Sequence, residues 1–160
     1  MSSFEQAMRE RVTAIDPGRT SGWAQFTAGK LSAAGTFRDH DYPAVWHRGF
    51  DQTLVLEIPR IYPHRSKGDP NDIVDLALTV GEIRGHYRPL VTRVIETFPA
   101  NWKGQVPKEI HHARVLRQLA DDELRLLEGE KRKVSKTHPH GYDHNMLDAV
   151  ALGLWFLQRA

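Results

Sequence analysis

Cysteine is absent from the chain. Its absence excludes disulfides, Cys-ligated zinc, iron–sulfur clusters and a thiol nucleophile. Long apolar runs are missing too, and no segment reaches the roughly 18 consecutive apolar residues of a membrane span. The first residues, Met1-Ser2-Ser3-Phe4-Glu5-Gln6, carry an acid where a signal peptide carries base followed by an apolar run. A soluble, cytoplasmic protein with no membrane partner is therefore expected. There is no internal repeat and no low-complexity linker. Charge of one sign is nearly balanced, with 22 Lys+Arg against 20 Asp+Glu and a formal net charge of +2. That balance admits a nucleic-acid partner without requiring one.

What remains is an ordinary folded composition: 40% hydrophobic and 26% charged over 160 residues. One domain is expected, residues 11–160, after a polar lead-in over residues 1–10. Arg11 to Asp16 reads as a strand stopped by Pro17-Gly18. Gly22 to Phe26 alternates as a second strand, and Gly29-Lys30 predicts a hairpin turn into a third, Leu31 to Phe37. Tyr42 to Asp51 reads as a helix. Thr53-Leu54-Val55-Leu56-Glu57-Ile58 has the near-continuous apolar character of a central strand covered on both faces. Start signals at Asp69-Pro70-Asn71-Asp72 predict a helix through Ile73, Val74, Leu76, Ala77, Val80 and Ile83. Leu90 to Thr97 reads as a strand, and Pro107–Leu119, Asp122–Leu127 and Asp143–Leu157 as helices. Three early strands followed by interleaved strands and helices predict an α/β domain with a mixed five-stranded sheet flanked by helices.

Three acids stand out against this pattern. Asp16 ends the first strand, and Glu57 lies near the end of an otherwise apolar one. A carboxylate in a buried strand is costly unless something pairs with it. Asp148 interrupts the apolar helix segment Met146-Leu147-Asp148-Ala149-Val150. Asn145 and His144, three and four residues before it, share its side of the helix. Each acid alone has a structural explanation: a turn former, an edge-strand residue, a partner for an arginine. Asp143 fits an N-cap better than a ligand. Together, carboxylates from separated chain positions suit phosphodiester hydrolysis with hard, oxygen-liganded Mg²⁺. Two ions about 3.5–4 Å apart activate water and stabilise the leaving oxygen.

These segments resemble a known family. Ile15-Asp16-Pro17-Gly18 followed by Thr20-Ser21-Gly22-Trp23-Ala24 is similar to the first motif of RuvC-type Holliday-junction resolvases. Leu54-Val55-Leu56-Glu57-Ile58-Pro59 resembles their second acidic motif, and Lys67-Gly68-Asp69-Pro70-Asn71-Asp72 the approach to their central helix. Asn101-Trp102-Lys103-Gly104 with Lys108 resembles the loop and helix start of compact phage-type members. His144-Asn145-Met146-Leu147-Asp148-Ala149 resembles the last motif. The resemblance runs from about residue 11 to 158. It implies an RNase H-like fold, Mg²⁺-dependent incision of four-way and other branched DNA, with Mn²⁺ substituting, two ions per site, and a homodimer cutting paired strands. Carried over by position, Asp16, Glu57 and Asp148 are metal ligands, and Lys108 contacts or polarises the scissile phosphate. The family has Asp, or sometimes His, where Asn145 stands. The Asn145 amide oxygen can serve as a fourth, uncharged ligand; His144 or Asp143 can substitute, or the position marks an inactivating change. Where the family often has an aromatic after the second motif, this chain has Arg60, and Tyr62 is expected to supply the stacking.

Basic residues complete the picture. Lys131, Arg132, Lys133 and Lys136 cluster shortly before the last motif, and Arg60, Arg65 and Lys67 follow the second. Together with Lys103 they are candidate phosphate contacts, against the plainer reading of solvated loops. Trp102 is expected to anchor its loop. Of the 9 histidines, His111 and His112 read as surface or packing residues. His138, His140 and His144 match no standard zinc spacing. Two other readings compete: an RNase H-fold ribonuclease of the YqgF type, and a junction-binding protein that has lost catalysis. The Trp-Lys-Gly segment and the Glu57-Ile58-Pro59 motif favour the DNA resolvase.

Overall fold

The computed structural model describes residue 2 and residues 10–45, 52–60 and 68–159. Tyr62, Arg65, Lys67 and most of the helix expected at 42–51 lie outside the described residues; residues 42–45 are not helical. The sheet holds five strands: β1 (Arg11–Asp16), β2 (Ser21–Thr27), β3 (Lys30–Phe37), β4 (Gln52–Glu57) and β5 (Arg93–Thr97). Their order is β3-β2-β1-β4-β5. The first three pair antiparallel, whereas β1–β4 and β4–β5 are parallel, so the sheet is mixed. β1 and β4 are interior strands buried on both faces, which accounts for the apolar run Leu54-Val55-Leu56 in β4 and for the burial of even Thr13 in β1.

The β2–β3 hairpin turns on Ala28 and Gly29, one residue earlier than expected. Both have positive φ, 51° and 76°. A two-residue hairpin needs that backbone twist, which glycine adopts freely and alanine does not. Lys30, expected in the turn, is the first residue of β3.

The described residues include the helices α1 (Pro70–Tyr87), which precedes β5, and α2 (Pro99–Trp102), α3 (Lys108–Gln118), α4 (Asp121–Leu127) and α5 (His144–Phe156), which follow it, with a 3-10 turn over Glu128–Glu130. Asp69 caps α1 by accepting from the Asn71 amide at 2.9 Å, and proline opens the first turn. The strand expected from Leu90 begins only at Arg93. Leu90 and Val91 instead donate their amides to the Tyr87 carbonyl and close the end of α1. Asn101 and Trp102, likened to a loop, instead end one helical turn over Pro99–Trp102, because Phe98 is extended and Pro99 preorganises the start.

Strand parity sorts the core into two layers. Ile15, Leu54 and Leu56 face α1 through Val80, Ile83 and Tyr87. Val12, Ala14 and Val55 face α3, α4 and α5 through Val115, Leu127 and Leu147. The buried Glu123 carboxylate ties α4 to the β3 edge. It accepts from the Leu31 amide at 2.7 Å and from Arg159 at 2.6 and 2.8 Å.

Candidate functional site

The period of two along a strand decides where the acids meet. Asp16 shares its face with Val12 and Ala14, and Glu57 shares its face with Val55; both therefore look toward the α5 layer. Ile15 pairs with Leu56 in the parallel β1–β4 ladder, so Asp16 and Glu57 are one step beyond on adjacent strands. Asp148 descends from α5 onto the same sheet end. Asp143 begins that helix, its carboxylate accepting from the Asn145 and Met146 amides at 2.8 and 3.3 Å. This is the N-cap expected from the sequence. α5 comes down unusually close because Gly22, the partner of Asp16 in β2, has no side chain. A Cβ there would stand 1.8 Å from the Asn145 carbonyl oxygen.

Two short elements deliver the cations. α2 carries Trp102 to the end of β4, where its indole Nε1 donates to Glu57 Oε2 at 2.8 Å. Lys103 follows at once, and Gly104, in the left-handed region at φ 63°, turns the chain toward α3. Lys103 Nζ lies 3.4 Å from Glu57 Oε2 and 3.8 Å from Asp148 Oδ2. Lys108, at the start of α3, places Nζ 3.0 Å from Asp148 Oδ2 and donates to His144 Nδ1 at 3.0 Å. One turn further along α3, His112 is fully buried and its Nε2 donates to Asp148 Oδ1 at 2.8 Å. The other ring nitrogen of His112 is buried without a hydrogen-bond partner among the described residues.

These contacts divide the carboxylates. Asp148 is 2% exposed. Burial pushes its carboxyl up, but the His112 hydrogen bond and the charges of Lys103 and Lys108 outweigh it and hold the group down at about 2. Asp16 is 8% exposed and moves the other way. Burial raises its carboxyl well above the usual range; Lys103 opposes this, and the like charges of Glu57 and Asp148 add to it. Burial works against the charge on Lys103, but Asp16, Asp148 and Glu57 overcome it and push the ammonium upward. His144 is lowered by burial and by the adjacent Lys108 charge.

Asp16, Glu57 and Asp148 thus belong to one electrostatic cluster. Among the described residues, however, no three His, Cys, Asp or Glu side chains stand close enough together to hold a metal ion. Lys103 is inserted between two of the carboxylates. Lys103, read from the sequence as a phosphate contact, is a partner of the acids, and His112, read as surface or packing, is a hydrogen-bond partner of Asp148. Trp102 anchors its loop as expected, and the anchor point is Glu57. Asn145 lies one turn before Asp148 with its backbone against Gly22.

The other basic residues form no ion pair with the three carboxylates among the described residues. Arg60 lies over the Phe98 ring at 4.9 Å. Lys131, Arg132, Lys133 and Lys136 are exposed on the loop before α5. That loop is shaped by its own contacts: the Arg132 guanidinium donates to the Gly129 and Lys131 carbonyls, both at 2.9 Å. His140 Nε2 donates to the Glu109 carbonyl at 3.0 Å, and the His144 amide donates to the Thr137 carbonyl at 3.0 Å. The loop is therefore fastened beside Lys108 and His144. His138, His140 and His144 each have other partners, and no zinc-like cluster forms among the described residues.

No helix among the described residues is long and apolar enough to cross a membrane. No protein-family model matches the chain, and a search of curated proteins found no match.

Proposed function

We propose that the protein is a metal-dependent, structure-specific endonuclease with an RNase H-like fold, acting as a homodimer on four-way and branched DNA. One observation carries the reading. Three carboxylates distant in sequence, Asp16, Glu57 and Asp148, come from adjacent central strands and the helix across them; Glu57 and Asp148 flank Lys103 Nζ at 3.4 and 3.8 Å, and Asp16 is electrostatically linked to all three. The mixed sheet, with two of its acids at neighbouring strand ends, supports the fold assignment. The exposed basic loop fastened beside Lys108 supports a phosphate-rich partner.

The donor types suit a hard divalent cation, since all three groups are carboxylates of one electrostatic cluster. With Lys103 seated between Glu57 and Asp148, no three described side chains stand close enough together to share an ion, so holding one requires the acids to close in. Asp16, Glu57 and Asp148 would hold Mg²⁺ or Mn²⁺, with the Asn145 amide as the uncharged neighbour. When bound, two such ions supply an activated water and stabilise the leaving oxygen. The chain's own residues do the rest. His112 fixes the Asp148 carboxylate and Trp102 fixes Glu57, so neither has to be ordered when substrate arrives. Lys108, with its side chain 51% exposed, can reach a phosphate oxygen while remaining beside Asp148. His144 accepts from the Lys108 ammonium and orients it. The loop carrying Lys131, Lys133 and Lys136 holds backbone phosphates of a duplex arm without reading sequence.

The test is incubation of the purified protein with a labelled four-way junction, linear duplex and RNA–DNA hybrid, in Mg²⁺ or EDTA. Paired, Mg²⁺-dependent nicks in the junction, lost in Asp16→Asn while junction binding persists, are expected. Preferential cutting of the RNA strand, or junction binding without cutting in either Mg²⁺ or Mn²⁺, overturns the proposal.

A further inference from the structure

We infer that Lys103 is the resident counter-cation of the three-carboxylate pocket, and that a divalent ion enters only by displacing the Lys103 ammonium. This rests on the metal-dependent reading above and assigns the residue that regulates loading of that site.

The geometry gives the reason. Nζ stands 3.4 Å from Glu57 Oε2 and 3.8 Å from Asp148 Oδ2, and Asp16 is the strongest carboxylate influence on it. An ammonium has three donors and no lone pair, so it cannot join a metal's coordination shell. A second cation beside it would feel strong repulsion in a partly desolvated pocket. The same oxygens therefore serve the lysine or the metal, but not both. Lys108 also holds Asp148, its Nζ 3.0 Å from the same Oδ2. Among the described residues no ion pair joins it to Glu57, so Lys103 is the cation that bridges two of the acids.

Lys103 also has a way out. Its side chain is 29% exposed. It sits on the turn between α2 and α3 with Gly104 next in sequence, so rotation of its own long side chain frees the ammonium without moving a strand or helix. While seated, it neutralises acids that would otherwise repel one another at the end of β1 and β4. The pocket is thus held together in the metal-free protein, at the expense of metal affinity.

Trp102 reports the exchange. Its ring has Lys103 Nζ 4.8 Å from the centroid, and its Nε1 donates to Glu57. Displacement of Lys103 and capture of Glu57 by a metal change both contacts of one indole.

Three measurements test this. First, lysine reactivity in the wild-type protein is followed by reductive methylation and mass spectrometry. Lys103 is expected to react slowly in EDTA and several-fold faster in saturating Mg²⁺, with the surface ion-pair residue Lys30 as an unresponsive reference. Second, titration calorimetry compares Mg²⁺ binding by wild type and Lys103→Gln. The variant is expected to bind at least about tenfold more tightly. Third, Mg²⁺ is expected to change tryptophan emission in wild type, with the change lost in Trp102→Phe. Metal binding with unchanged Lys103 reactivity, or equal or weaker binding by Lys103→Gln, overturns this inference and leaves the nuclease reading intact. Failure of wild type and Lys103→Gln alike to bind Mg²⁺ or Mn²⁺ overturns both. If Lys103→Gln does not fold, the wild-type reactivity decides.

Discussion

Asp16→Asn is expected to make the metal-free protein more stable while removing its activity. Asp16 is 8% exposed, and burial, with Glu57 and Asp148 as like-charged neighbours, raises its carboxyl well above the ordinary range. For an acid, a raised folded-state value means that the native state binds the proton more tightly than the unfolded chain does. Stability then falls as pH rises from the unfolded value near 3.9, and the full cost is present above the folded value. An amide of the same shape removes that cost. Stabilising single substitutions commonly gain about 0.5–2 kcal/mol, and relief of a buried, repelled carboxylate is placed in the upper part of that range, about 1–2 kcal/mol. An unfolding entropy of about 2.1 cal/mol/K per residue converts this, for a chain of 160 residues, into a Tm increase of about 3–6 °C. Scanning calorimetry in EDTA at pH 8 and pH 4 reads the effect, which should be large at pH 8 and shrink at pH 4, where Asp16 of the wild type is protonated. On the proposed ligand role of Asp16, saturating Mg²⁺ should reverse the order, because the variant lacks one of the proposed ligands. A lower Tm for Asp16→Asn at pH 8, or a gain independent of pH, would refute the electrostatic account of this site.

Three further perturbations probe the same architecture. Gly22→Ala places a Cβ 1.8 Å from the Asn145 carbonyl oxygen, so it should cost about 1–3 kcal/mol by overpacking and shift α5 away from the sheet; denaturant melts and loss of Mg²⁺ affinity check it. His112→Phe removes the donor to Asp148 Oδ1 and should cost about 1–3 kcal/mol by leaving a buried acceptor unmatched. The depressed Asp148 carboxyl contributes stability that is present above about pH 3.9 and is lost as pH falls toward about 2, so His112→Phe should also move acid unfolding to higher pH, as read by circular dichroism. Replacing Lys131, Lys133 and Lys136 by Gln should weaken junction binding and reduce the slope of log K against log salt by roughly 1 for each phosphate no longer neutralised, while leaving thermal stability unchanged. An unaltered slope removes that loop from the DNA interface.

Much of the sheet was legible because its strands carry strong local signals. Pro17-Gly18 ends β1, Asp69-Pro70 starts α1, and the apolar run Leu54-Val55-Leu56 of β4 marks a strand covered on both faces. The hairpin was misplaced by one residue because Ala28 adopts a backbone angle that alanine disfavours, so its identity gives no warning. Leu90 and Val91 were read as strand because their apolar character is the same whether they pair in a ladder or cover the end of α1.

The same logic separates the acids from the cations at the site. A carboxylate on a buried strand or an apolar helix face conflicts with its surroundings, and such conflicts between local rule and overall fold mark positions kept for a purpose. Asp16, Glu57 and Asp148 announce themselves in that way. Lys103 does not. It stands in the loop Asn101-Trp102-Lys103-Gly104, where a lysine reads as a candidate phosphate contact, and it reaches the carboxylates only through a long, flexible side chain. His112 left a fainter trace: it shares a helical face with Val115 and continues toward Leu119, all of them buried, so a polar ring at that spacing belonged to the interior and needed a partner there. The acids that define the pocket are thus readable in one dimension because burial penalises them. The charges that neutralise them are not, because lysine reaches its partner from a position that costs nothing by itself. The step from a set of buried acids to a working site therefore turns on which cation sits between them, and here the chain supplies one of its own.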